Sequence, residues 1–256
     1  RVARRNRQGL RQACRARQAQ LALLPVIPVH MHNPTEHSAY WSQRLLVILQ
    51  EMAAQKTNAV LEILGNTGHL KTEQPYPESG LRFAGDKWRA FYHCHESTSM
   101  HPDEHGHFHI FTAIGNQAWA HVAGLSIDIE GQPLQWFAVN RWVTDGPWLE
   151  RDRLLAQLAT APADSGEEGL PEKWLVAMLQ LYHDSLTGLL TERDEQLQLE
   201  LKGRSLVETL DDRDIYTLAT QSVDLQSMLE KNLLQNPCPD AEPGRHAARN
   251  QVCNGI

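Results

Sequence analysis

The chain has 256 residues, 41% of them hydrophobic, enough to bury one sizeable core. Its longest clearly apolar run, Leu21 to Val29, carries two prolines and falls far short of the roughly 20 residues that cross a bilayer, so a soluble protein with no membrane partner is expected. The net charge is −7, and an acidic chain has no basic face with which to displace counterions from phosphates, which argues against a nucleic-acid partner.

Charge is uneven along the chain. Residues 1–33 hold seven arginines and no acid, which leaves 17 Lys and Arg against 31 Asp and Glu in the remainder. This basic stretch, followed by "LALLPVIPV", lacks an unbroken apolar centre and a small-residue cleavage site, so it is read as a disordered arm rather than a targeting peptide. The chain opens on Arg1, as a piece of a longer protein would.

From Pro34 to Gly65 the pattern is helical. "NPTEHSAYWSQRLLVILQEMAAQ" carries Trp41, Leu45, Ile48, Leu49 and Met52 at helical spacing behind a Thr35 or Ser38 cap signal, and "TNAVLEILG" predicts a second short helix stopped by Gly65. These helices are expected to form a lid. The period then changes to alternating aromatic and β-branched residues, predicting four antiparallel strands near 88–95, 107–114, 117–129 and 133–143, the last two joined by the turn "EGQP" at 130–133. Beyond "DGPW", helices are predicted in "LERDRLLAQLA", from Pro171 through "PEKWLVAMLQLYHDSLTGLL", and in "DRDIYTLATQSVDLQSMLEKNLLQ" with Asp211 or Asp212 as cap. Residues 237–256 read as a disordered tail. The fold class is therefore α+β, a single domain over 34–236 with an antiparallel sheet of about four strands flanked by N-terminal and C-terminal helices.

The chemistry concentrates in "FYHCHESTSMHPDEHGHFHIF", residues 91–111, which hold six of the thirteen histidines. Successive strand residues point to opposite faces. In "WRAFYHCH" that puts Phe91, His93 and His95 on one face and Trp88, Ala90, Tyr92 and Cys94 on the other; in "HGHFHIF" it separates His107, His109 and Phe111 from Phe108 and Ile110. A hairpin with His93 opposite His109 and His95 opposite His107 would gather four imidazoles on one face and leave the other apolar. Cβ atoms about 4.5–5.5 Å apart across the pair allow three or four rings to reach one ion through bonds of about 2.0–2.1 Å.

His93, His95, His107 and His109 are thus the candidate ligands of a divalent transition metal, Zn, Fe, Cu or Ni. His105 and His121 are placed behind them, His105 displaced by Gly106 and His101 exposed in the turn, while Phe91, Phe111 and Trp119 wall a small-molecule pocket. Glu104 and Glu96 are the candidate catalytic carboxylates. Without a metal, the same residues would be a polar, pH-titrating sheet face, on which four protonating imidazoles would repel one another. The remaining tryptophans of the sheet region are read as core. Cys14, Cys94, Cys238 and Cys253 have no CxxC spacing and imply reduced thiols in a cytoplasm of the bacterial type. Strand parity makes Cys94 a core thiol on the face away from the histidines.

"YHCH" followed by "EHGHFH" resembles the core of an uncharacterised bacterial domain family spanning about residues 36–236, a resemblance that treats the two histidine groups as one unit and implies no activity. Over a shorter stretch, "HGHFHIF" resembles the signature of the histidine-triad nucleotide hydrolases and transferases, with Gly106 where that pattern has a hydrophobic residue. That resemblance implies His107 as nucleophile, with His105 and His109 around it. The metal reading implies a hydrolytic or oxidative enzyme, or a non-catalytic metal-binding or sensing module.

Overall fold

The structure is a computed structural model that describes residues 33–65, 70–95, 101–115, 118–159 and 168–235. The predicted arm and tail lie outside these residues, apart from Asn33. The fold is α+β, as the sequence predicts, with a larger sheet. Six strands, β1 (Tyr76–Phe83), β2 (Trp88–His93), β3 (Gly106–Ile114), β4 (Ala118–Ile127), β5 (Pro133–Val139) and β6 (Thr217–Ser222), pair antiparallel in sequence order. Eight helices are seen among the described residues: α1 (Pro34–Gln55), α2 (Ala59–Leu64), α3 (Arg141–Thr144), α4 (Arg151–Ala159), α5 (Leu170–Leu181), α6 (His183–Leu201), α7 (Leu206–Leu210) and α8 (Leu225–Gln235).

Two strands were not predicted. β1 carries Pro77 and Gly80 and breaks register with β2 between Tyr76 and Leu81, so it shows no clean alternation; as an edge strand it tolerates the proline. β6 lies inside the segment predicted as one long helix. Its partner β5 offers an open edge, and pairing from Gln135↔Ser222 to Val139↔Thr217 overrides the helical spacing of Leu210, Leu218 and Leu225. The helix proper begins at Leu225, where the Asp224 carboxylate accepts the Ser227 backbone N–H at 2.9 Å, so Asp224 takes the role assigned to Asp211 or Asp212. At the other end of the chain, Asn33 caps α1, its side chain accepting from Thr35 N at 3.0 Å with Pro34 at the first helical position, in place of Thr35 or Ser38. The fourth predicted strand stops at Val139, where Asn140 turns the chain into α3.

The core lies on the sheet face that carries Trp88, Ala90, Tyr92, Phe108 and Ile110, with Leu125 and Trp136 from the later strands. α5 covers this face. Every residue from Trp174 to Leu181 is buried, as expected of a helix enclosed on all sides, and the Trp174 ring lies 5.8 Å from that of Phe108. α1 packs on α5 and α8 through Trp41, Leu45, Ile48 and Met52. The N-terminal helices therefore form a packed outer layer on the apolar side of the sheet.

One glycine shapes the opposite face. Gly124 on β4 pairs with Phe137 on β5, and a Cβ at position 124 would lie 2.0 Å from the Phe137 ring, so the ring rests directly on the glycine backbone. From there Phe137 reaches His107 and His109, with ring centroids 5.1 and 5.8 Å away. Gly124→Ala is expected to cost about 1–3 kcal/mol of unfolding free energy through overpacking. In urea denaturation, Phe137→Leu in the same chain should recover part of that loss.

Candidate metal centre

The β2–β3 pairing sets the site. His93 lies opposite His107 and Phe91 opposite His109, two residues away from the register read from the sequence, which set His93 against His109. The reason is that β2 ends at His93, so His95 reaches the site from the chain leaving the strand. Parity still holds: His93, His95, His107 and His109 gather on one side, with neighbouring ring centroids 4.6 to 5.2 Å apart.

Within this group His93, His95 and His107 each offer a ring nitrogen within 4.8 Å of the other two. His93 Nε2 and His107 Nε2 are 2.8 Å apart. The other nitrogens of two of these rings are held by carboxylates. His107 Nδ1 lies 2.6 Å from Glu104 Oε1, both side chains almost fully buried, and His95 Nδ1 is hydrogen-bonded to Glu73. A histidine with a carboxylate on Nδ1 presents Nε2 as its free nitrogen, the arrangement that orients imidazole ligands for a metal. His95 Nε2 is buried and meets no partner.

His109 stands beside this trio rather than in it. Its Nδ1 is 3.0 Å from His121 Nε2. His121 reaches the face through a β-bulge: β3 and β4 change register between Ile110 and Phe111, so Gly124 and Ser126 share a face with His109 and His107 while His121 pairs with Phe111. β4 thus does not keep an uninterrupted register against β3. The bulge is what brings His121 and Trp119 to the histidine side. His105 lies elsewhere. Its Nδ1 is 2.7 Å from the Tyr92 hydroxyl on the apolar face, and its backbone N–H bonds Ile127 O, so its ring is turned away from the candidate ligands. Gly106 is a close approach and not a bulge, since a Cβ there would meet Tyr92 Oη at 2.5 Å and His93 O at 2.6 Å. His101, expected to be exposed, is half-buried in the turn, where its Nδ1 accepts Asp103 N–H at 3.2 Å. Glu96 lies outside the described residues.

Burial drives the electrostatics. The His93 pKa is pushed down to about 3 by burial and by His107 and His95, and His109 is driven well below the usual histidine range by burial and four neighbouring imidazoles. His121, its ring enclosed by those of His109 and Phe111, falls to about 3 through burial, Arg193 and His107. These rings are neutral at pH 7 and available as ligands or hydrogen-bond partners.

A cavity of about 460 Å³ opens beside the trio. Phe91, His93, His109, Phe111 and Trp119 line it, together with Arg89 on β2 and the segment from Val143 to Pro147. Sequence reasoning missed Glu73, Phe137 and Arg89. Glu73 precedes β1 and is tied to the site by its backbone N–H on Cys94 O at 2.9 Å, a contact across 21 residues that no local pattern announces. Arg89 was legible from parity, two residues before Phe91 on the same strand face.

The comparisons with known proteins match residues 39–223 to DUF6969, a domain of unknown function. The chain belongs to this family. The matched span takes in both histidine groups and every strand but neither end of the chain, in agreement with the sequence resemblance. No curated protein and no solved structure matches the chain. Among the described residues, no helix is long and apolar enough to cross a membrane.

Cys94 is buried and lies outside the trio, so Cys94→Ala should leave metal stoichiometry unchanged by elemental analysis. Unfolded histidines titrate near 6.5 while His93 and His121 stay neutral in the fold to about 3. Between those values the unfolded chain binds the extra protons, so stability of chelator-treated protein should be flat above about pH 6.5 and fall as the pH drops. His121→Gln should make the decline in urea midpoint from pH 6.5 to 4 shallower.

Proposed function

We propose that this protein is a metal-dependent enzyme in which His93, His95 and His107 hold one divalent transition metal, of the class Zn, Fe, Cu or Ni, beside a small-molecule cavity. The observation that carries this reading is the set of buried polar atoms left without partners. Glu104 Oε2, His95 Nε2 and Ser126 Oγ are all buried and unsatisfied, and all belong to this site, Ser126 lying opposite His107 on β4. Glu104 is a buried carboxylate with one oxygen unpartnered, and burial keeps the rings of His93 and His109 neutral, so a cation bound among them would offset its desolvation. A divalent cation on the three imidazoles supplies that charge and uses the free Nε2 of His95.

When bound, such an ion supplies Lewis-acid activation of water or of a carbonyl if redox-inactive, and oxidation chemistry if redox-active. The chain's own residues do the rest. Glu104 and Glu73 fix the tautomers of His107 and His95. His109, buried and bonded to His121, lines the cavity beside His93 and forms with His121 a neutral pair able to pass a proton. Phe137 closes the far side of His107 and His109 against water. A non-catalytic metal-binding or sensing module would share the ligands but has no use for the cavity that opens onto His93 and His109.

The histidine-triad alternative draws less support. His107 has one nitrogen on His93 and the other on Glu104, and His105 is turned to Tyr92. A nucleophile of that chemistry needs a free nitrogen facing a phosphate.

Competition with a chromogenic chelator tests the reading. Wild-type protein should take up one Zn²⁺ or Co²⁺ per chain, and Glu104→Gln and Glu73→Gln should each weaken it by about 10–100-fold. Uptake no stronger than that of a His93→Gln, His107→Gln double variant would overturn it.

A further inference from the structure

The cavity beside the trio has a charged end that the metal reading does not use. Arg89 lines it, on the same strand face as Phe91 and His93. Its Nε is buried with no hydrogen-bond partner, and it forms no ion pair among the described residues. The fold makes room for it: Gly80 sits where β1 breaks register, with φ +72°, and a Cβ there would lie 2.6 Å from Arg89 Nε. Arg82, paired with Arg89 across β1 and β2, lies with its guanidinium 5.3 Å from the centre of the Trp119 ring and also has no ion pair among the described residues. The acid lining the cavity is Asp145. Arg82 lies outside this lining and is exposed, so the Arg89 guanidinium is the cationic group that faces the cavity.

Between Arg89 and the trio the lining is aromatic. Phe91 stacks on Phe111 with centroids 5.5 Å apart, and Trp119 stands beside them. Arg89 and His93 are four residues apart on one strand, roughly 13 Å at about 3.3 Å per residue. This order, guanidinium then rings then imidazoles, matches one molecular shape. Resting on the metal reading above, we propose that the cavity takes an aromatic carboxylate, its carboxylate on the Arg89 fork, its ring against Phe91 and Phe111, and its far end at His93 and His109. Guanidinium pairs bidentately with carboxylate, and offset ring stacking favours a flat aromatic body over an alkyl chain. Asp145 would repel a second negative charge, so a monoanion fits better than a phosphate dianion.

Isothermal titration with 3-phenylpropionate and its neutral isostere 3-phenylpropanol tests the proposal, on both metal-loaded and chelator-treated protein. Wild-type protein should bind the acid at least about tenfold more tightly than the alcohol, the worth of one charge-assisted pair. Arg89→Gln should erase that difference while keeping alcohol binding and metal content. Trp119→Leu should weaken acid and alcohol alike, which reads the aromatic wall independently of Arg89. Equal binding of acid and alcohol by wild type, or undiminished acid binding by Arg89→Gln, overturns the proposal. If metal binds and the Arg89 dependence is absent, this inference fails alone. If the Arg89 dependence is present and no metal binds, the carboxylate site stands and the metal reading fails.

Discussion

Because β2 and β3 pair with His93 opposite His107, two imidazoles are held with their Nε2 atoms 2.8 Å apart on a sheet face whose reverse side is the protein core. The ladder fixes the backbone from which both rings project, and shifting it would expose Tyr92 and Phe108, which are fully buried on the other side. The ordering entropy of two ligands is thereby met by the fold, and a third, His95, needs only the short exit from β2 and the Glu73 carboxylate to bring it in. The remaining features of the site adjust to this pair. Glu104 is buried to meet His107, Gly124 gives up its side chain so that Phe137 can close over the rings, and the bulge in β4 turns His121 inward to His109.

A pair of this kind sets an electrostatic problem. Burial lowers the basicity of His93, His109 and His121, so the face cannot balance a buried carboxylate by protonating those rings near neutral pH. In a hydrophobic core evolution would dispose of the carboxylate. Here it is retained at hydrogen-bond distance from a candidate ligand, with its second oxygen unpartnered. The strain makes sense when the site is completed by a cation, which turns a costly group into a supporting one.

The alternation of side chains along "WRAFYHCH" and "HGHFHIF" was enough to read the two faces, the gathering of four histidines and the exclusion of Cys94, because period two is a local property of a strand. Register was not local. It depended on where β2 ends, and a shift by two residues moved His109 from the partner of His93 to the partner of Phe91. The bulge at His121 was hidden for the same reason, since a β-bulge is a property of two strands and "AWAHVAGLSI" alone shows no break. β6 was hidden by competition: its residues carry both helical and strand spacing, and the open edge of β5 decides between them. Glu73 and Phe137 were out of reach because each acts through a contact distant in sequence.

The central claim is that His93, His95 and His107 act together as the ligands of one ion. Elemental analysis of purified protein tests it most directly, comparing wild type with His93→Gln and His109→Gln produced in parallel. The account predicts about one transition-metal ion per chain in wild type, near-complete loss in His93→Gln, and retention in His109→Gln, whose ring stands beside the trio. Wild-type protein free of metal after growth in metal-supplemented medium, or a His93→Gln chain that keeps its ion, would contradict it.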